Sequence, residues 1–587
     1  MLKMVRPYRQ SGNTLCEFNS QEVVSPCIRV TIVQIVLNSR RVNIDQCLPA
    51  CNHKMNTNFA RMWMANNMER KMESLLHRKS ILEKSLANIE DSSQLSYEVV
   101  LLANIYTDIG QLYMVREDFN KAETFFQKCL KLVTHRDMKK EAVLPYTKTL
   151  LDLAVIAIKQ SDNKKALSFL TDAENAYMDF KRSQVDDKEV DKLDAMIIEA
   201  FYSKITTRFA QVYDNLKIFD MSAKYNYSTL KRAIENESYD NGDMAEQSAD
   251  LANYYIKLNK FKEARRYMAA SNYFVDQQQN NWEANVFGTV KTAVGHLSRH
   301  WAKYGIALLL ASKKRLQNDE DNLTADMDKM ELDNQMPLLF DKLPLANYEN
   351  QISIGYRTTF KEAKRVFLFA KKWLEKAKEI YTPDGDILLY ADVMKDSARL
   401  YDYMSFFETD WRNQFKMQKM RIKYCEELLD NLDPQTRMPI CRECWNEAAL
   451  GYSAQLLLKW RFIVEEINTS PKIRNEVQQL TESAIEKFKN LITSFGGNLS
   501  QVIPKLTFDE KKMCMDAHYK LAILYGRGID TGKPEPINKC IFYFKTFVEE
   551  CSKDERLRIE LKSDIEISRE QIVKIKAAFG HMRKIKS

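Results

Sequence analysis

A helix-pair motif that recurs four times is the feature that most constrains the fold of this chain. In YTDIGQLYMVREDFNKAETFFQKCLKL, Tyr106, Ile109, Gly110 and Tyr113 fall on a first helix. Phe119, Ala122, Phe126 and Cys129 fall on a second. Gly110 and Ala122 are small, as two helix axes approaching to about 8–10 Å require. Aromatic residues then fill the groove between one helix pair and the next. Leu153, Ala154, Ala166 and Ala173 mark a second copy, and Ala210, Tyr213, Phe219 and Ser222 a third. Leu251, Ala252, Tyr255, Phe261 and Ala264 mark a fourth.

The pattern is tetratricopeptide-like. The small residues of the first helices stand 44, 56 and 42 residues apart, above the usual spacing of about 34. Long helices or inserted loops are therefore expected, and SQVDDKEVDK at 183–192 reads as such a loop. One helix pair cannot bury its apolar face alone, so pairs stack into a superhelix with a concave side. The expected fold is all-α: a tetratricopeptide-like, right-handed α-solenoid of stacked helix pairs in two subdomains. Only 28 of 587 residues are Gly or Pro, which argues against a fold of many strands and hairpins.

The second half keeps helical spacing. FKEAKRVFLFAKKWLEKAKEIY at 360–381 places Ala363, Phe367, Ala370 and Leu374 on one face. Long helices are expected over 387–430, 440–466, 472–494 and 508–526, with LDPQTRMP and FGGNLS as breaks. A last pair uses Ala522, Tyr525, Cys540 and Phe544, and a final helix spans 554–580. The expected divisions are an atypical segment outside the fold at 1–54, a first helical subdomain at 55–316, an acidic linker at 317–351 and a second helical subdomain at 352–587.

Composition and charge exclude several classes. No stretch approaches about 20 uninterrupted apolar residues, so membrane insertion is not expected. The eleven scattered cysteines do not read as a disulfide framework. Of the formal charge of +8, residues 1–54 carry +4 and the last six carry +3, leaving the body at +1. A near-neutral, mixed-charge body is no phosphate-binding stripe, and nucleic acid is not an expected partner.

No motif supports catalysis, a metal or a cofactor. Cys441-Arg-Glu-Cys444 has metal spacing but no second ligand pair nearby, and reads as core cysteines at a helix start. Cys47, Cys51 and His53 lack a fourth ligand. His296 and His300 share a helical face without an acidic third ligand. The run Gly526 to Lys533 follows a helix where a phosphate loop needs a strand, so it reads as a connection.

Longer segments carry a resemblance. SerThrLeuLysArg at 228–232, YYIKLNKFKEARRYMAAS at 254–271, SFFETDWRNQFKMQKMRI at 405–422, NLDPQ at 431–435 and LAILYGRGIDTGKP at 521–534 are similar to the KIF-binding protein family. The resemblance covers roughly 95–580 and not 1–54. It implies a non-enzymatic α-solenoid that binds kinesin motor domains and blocks their attachment to microtubules, in the cytoplasm and in association with the cytoskeleton. Other cytoskeletal proteins are further expected partners. Of the family's contact residues, Gln211 matches, whereas Arg208 stands in place of a tyrosine and Ala233 in place of a glutamine.

Repeat register places Lys204, Thr207, Arg208, Gln211 and Asn253 on the concave side. Lys231, Arg232 and Asp250 are expected at its rim. Gly110, Tyr113, Ala122, Phe126, Ala154, Ala166, Tyr213, Ala252, Tyr255 and Ala264 are the expected packing residues. The competing reading is a general repeat scaffold or a chaperone adaptor that clamps peptide C-termini. Its clamp positions correspond to Thr107, Gln111, Asp152, Lys204 and Arg208, and only the last two suit a carboxylate.

Overall fold

The computed structural model describes residues 57–87, 97–133, 140–183, 192–235, 239–279, 289–318, 339–465, 471–496, 505–527 and 534–586. Residues 1–54, with Cys47, Cys51 and His53, lie outside them. So do 184–191, the acidic run 319–334, and 528–533 of the Gly-rich connection. Among the described residues the regular elements are helices and no strand occurs. The contacts divide the chain into two units, Met1–Glu237 and Ser238–Ser587.

The first unit opens with α1 (Thr57–Ala87). Three hairpins follow: α2 (Tyr97–Val115) with α3 (Phe119–Val133), α4 (Lys140–Lys159) with α5 (Asn163–Ser183), and α6 (Lys192–Asn215) with α7 (Phe219–Glu235). The first helices α2, α4 and α6 pack side by side, and each second helix packs against the first helix that follows. Such a stack curves with the row of first helices on its inner side.

The second unit begins with the fourth copy, α8 (Asn241–Lys257) and α9 (Phe261–Gln279). It continues through α10 (Thr289–Asn318), the short α11 (Ala346–Glu349), α12 (Phe360–Ile380), α13 (Ile387–Phe407), α14 (Trp411–Leu429), α15 (Pro434–Glu465) and α16 (Pro471–Thr493). It closes with α17 (Phe508–Gly526), α18 (Pro534–Lys553), α19 (Glu555–Glu560) and α20 (Lys562–Lys586). Here α8, α10, α13 and α15 form the row of side-by-side first helices.

All four copies share one turn. A residue with positive φ follows the small residue by seven positions: Glu117 (60°), Ser161 (62°), Lys217 (60°) and Asn259 (56°). The next backbone N–H returns to the carbonyl five residues back, as Asp118 to Tyr113 and Lys260 to Tyr255. That bond closes the first helix with a left-handed cap. Gly110 shows why the small residue is needed. A Cβ there would lie 2.4 Å from the ring of the fully buried Phe126.

Three expected boundaries differ. Residues 387–430 are two helices, because Asp410 accepts from the Arg412 N–H and starts α14 afresh. LDPQTRMP (432–439) separates α14, which ends at Leu429, from α15, which begins at Pro434, but the break is shorter than expected. The segment lies mostly inside α15, which kinks at Arg437 (φ −129°, ψ 32°), where Pro439 disturbs the ladder. The final helix is divided by α19, whose start is capped by the Asp554 carboxylate.

Residues 339–356 pack on α9 and α10. Phe340 is buried, its ring 5.6 Å from Phe274. Arg266 donates to the Phe340 carbonyl at 2.9 Å, and Tyr304 donates to the carbonyl of Ser353 at 3.3 Å.

Candidate partner-binding faces

The inner row of the first unit is polar and cross-linked by side chains. Lys148 on α4 reaches Asp108 on α2 at 3.1 Å, and Gln111 donates to Asp152 at 2.7 Å. Asp152 therefore answers Gln111 at a clamp position, where its negative charge would repel a carboxylate. On α6, Lys204 and Gln211 are exposed, while Thr207 and Arg208 are half-buried. The Lys204 ammonium lies 5.3 Å from the Phe201 ring. Thr207 donates to the Ser203 carbonyl at 2.8 Å, and Arg208 donates to Gln211 at 2.8 Å.

Lys231 and Arg232 stand on α7, a second helix, and not on the row of first helices. With Lys181, Glu199, Ser228 and Glu235 they line a cleft of about 410 Å³. Arg232 sits 4.2 Å above the Tyr202 ring, with Glu199 at 3.4 Å. Burial would raise the Glu199 pKa, but hydrogen bonds from Lys181 and Tyr177 outweigh it and hold the carboxylate below its ordinary range.

In the second unit, Asp250 is exposed on α8, and Asn253 is joined to His300 on α10 at 2.8 Å. Desolvation, reinforced by Lys303 and Arg299, presses the His300 pKa down to about 3, so this histidine is neutral at physiological pH. Beyond them the row carries ionic links that the repeat pattern does not announce. Arg299 pairs with Asp392, and Lys395 bridges Asp392 at 3.3 Å and Glu443 at 2.9 Å. Lys313 approaches Asp402 at 3.8 Å. Arg421 on α14 is 8% exposed and reaches Asp402 at 2.7 Å and Glu447 at 2.6 Å. The available signal was charge recurring every three or four residues, as at 392, 395, 396 and 399.

The packing residues lie where helices meet. Gly110, Ala122, Phe126, Ala154, Ala166, Ala252, Tyr255 and Ala264 are buried. Tyr113 and Tyr213 are half-buried and stack on Phe125 and Tyr225, each at 5.6 Å. Cys441 and Cys444 are buried free thiols. Burial raises the pKa of Cys441, and that of the nearby Cys425 to about 12, so both are unreactive thiols. His296 is exposed and does not join His300 in a ligand set. Among the described residues no group of three or more His, Cys, Asp or Glu could hold a metal ion. No described helix is long and apolar enough to cross a membrane.

Comparison with known proteins agrees with this architecture. A solved structure described as kinesin binding protein (KBP) matches with a TM-score of 0.50 at 21% identity, over 89% of this chain and 99% of its own. KIF-binding protein of Drosophila melanogaster is 30% identical over 505 residues, covering 80% of this chain and 84% of the relative. The Homo sapiens protein of that name is 24% identical over 527 residues, covering 82% and 84%. The family described as KIF-1 binding protein C terminal matches residues 242–576. With more than half of the sequence matched and the helix-pair stack in place, the chain belongs to the KIF-binding protein family.

Proposed function

We propose that this chain is a non-enzymatic adaptor that binds kinesin motor domains and blocks their attachment to microtubules, thereby regulating microtubule-based transport. The relatives' names supply the partner class. The observation that carries the reading is the polar, mixed-charge inner row of each unit. Such a surface suits a folded protein better than an apolar peptide. Lys204, Thr207, Arg208 and Gln211 in the first unit are the proposed contacts, with Asp250 and Asn253 in the second. Lys231 and Arg232 contribute from their cleft at the hairpin end.

The proposed mechanism is competition. A motor whose microtubule-binding elements are covered cannot also hold tubulin. Affinity comes from a few central contacts and not from buried area as such. Microtubule co-pelleting with purified kinesin motor domains tests this. Motors are expected to leave the pellet as the protein is titrated in, and motors that stay bound at saturating protein refute the reading. Action in the cytoplasm on the cytoskeleton is part of the same proposal.

A further inference from the structure

The inner row of the first unit is a ladder when read by position relative to each small residue. Two positions before it stand Asp108, Asp152 and Arg208. One position after it stand Gln111, Val155 and Gln211, and six before it Asn104, Lys148 and Lys204. Each rung joins one first helix to the next. Asp108 meets Lys148, which stands six before on α4. Gln111 meets Asp152, which stands two before on α4. Val155 holds on α4 the repeat position that Gln111 holds on α2, and Arg208 holds on α6 the position that Asp152 holds on α4. An isopropyl group offers a guanidinium no acceptor.

Arg208 therefore interrupts the ladder. Its hydrogen bond goes to Gln211 on its own helix, and among the described residues no carboxylate lies within the 4.0 Å of an ion pair. The bond to Gln211 holds the side chain in place, which lowers the ordering cost of engaging a second group. Lys204, one turn earlier, adds positive charge to the same exposed edge. A guanidinium of this kind matches a carboxylate in two-point geometry.

We propose that Arg208 receives an acidic side chain, aspartate or glutamate, of the bound partner and selects among partners by it. The inference rests on the kinesin-binding reading and names the chemistry that the motor must present at this point.

The test measures binding of purified kinesin motor domains to the full chain across a salt series. Arg208→Glu is expected to weaken binding by about tenfold and to flatten its salt dependence, with Arg208→Gln between it and the parent. Val155→Glu leaves Arg208 in place but fills the vacant rung, so it should weaken the same motors. Thermal unfolding of the Arg208 variants should match the parent, because the only bond lost is to an exposed glutamine. Parent binding that is unchanged within about twofold in Arg208→Glu, with the same salt slope, overturns this inference and leaves the kinesin reading standing. No motor bound by the parent overturns both.

Discussion

The inner rows of the two units are built alike and charged differently. In the first, separate rungs join neighbouring helices: Asp108 with Lys148, and Gln111 with Asp152. In the second, charges are shared along a chain from Arg299 through Asp392 and Lys395 to Glu443. A further group joins Lys313 and Arg421 to Asp402, and Arg421 also to Glu447. Separate rungs can end without harm to their neighbours, which is how Arg208 comes to lack a carboxylate. A shared network has less such freedom, because Asp392 and Asp402 each serve two cations and Lys395 and Arg421 each serve two carboxylates, so one removal leaves more than one partner unanswered. In the second row Asp392 and Asp402 thus each answer two cations, whereas in the first Arg208 has no carboxylate within 4.0 Å among the described residues.

This contrast can be broken at several points. The largest effect is expected at Arg421. Arg421→Met strips Asp402 and Glu447 of their shared partner and should cost roughly 3–5 kcal/mol. Hydrogen exchange over α13–α15 would read it as lost protection there. Protection at the parent level would show that the network is not coupled.

Overpacking ranks next. Ala122→Trp in the first unit and Ala264→Trp in the second put a large ring at fully buried positions. Each should cost on the order of 1–3 kcal/mol or more, seen in denaturant unfolding, with the loss confined to the hairpin that carries it. Lys148→Met should cost less than Arg421→Met, roughly 1–2 kcal/mol, because Lys148 answers one carboxylate and Arg421 two. Equal losses at Lys148 and Arg421 would erase the distinction between the two rows.

A pH dependence separates the units further. Folding lowers the His300 pKa from an ordinary 6.5 to about 3. The unfolded chain therefore takes up a proton that the folded one refuses. The contribution is full above about pH 6.5 and is lost as pH falls toward about 3. His300→Gln should remove that part of the acid sensitivity, measured as the difference in unfolding free energy between about pH 7 and about pH 4. An unaltered difference would mean that His300 is not held neutral by its surroundings.

The smallest effect concerns the shared turns. Lys217→Gly relieves a non-glycine side chain held at φ 60° and is expected to stabilise by about 0.5–1 kcal/mol. Asn259→Gly should gain less, since asparagine already tolerates that conformation. Thermal unfolding would show the order, and the reverse order would contradict the strain argument.

The regular turns also explain what was legible. Where the small residue, the aromatic and the left-handed turn recur in register, the helix pairs could be placed from local spacing. From α12 onward, helix starts rest on single side-chain caps such as Thr359, Asp386 and Asp410. Their mark in sequence is one residue, which is why the break at 408–410 was not visible, whereas LDPQTRMP, with two prolines, marks the break between α14 and α15. Residues 339–356 illustrate a related limit of local pattern. Phe340 is buried against Tyr267 and Phe274, more than sixty residues earlier in the chain, which no local spacing announces.

Sequence by itself determined the all-α class, the helix-pair repeat and the positions where only Gly or Ala fits. These follow from 3.6-residue periodicity and from the distance at which two helices touch. Only tertiary structure decided which charges are answered and which are not. Lys148, Arg208 and Arg421 are indistinguishable as solvated cations in a sequence. What separates them is what the neighbouring helices bring within reach: aspartate for Lys148, two carboxylates for Arg421, and, among the described residues, no carboxylate for Arg208. That choice depends on the register between helices some forty residues apart, which no local pattern records.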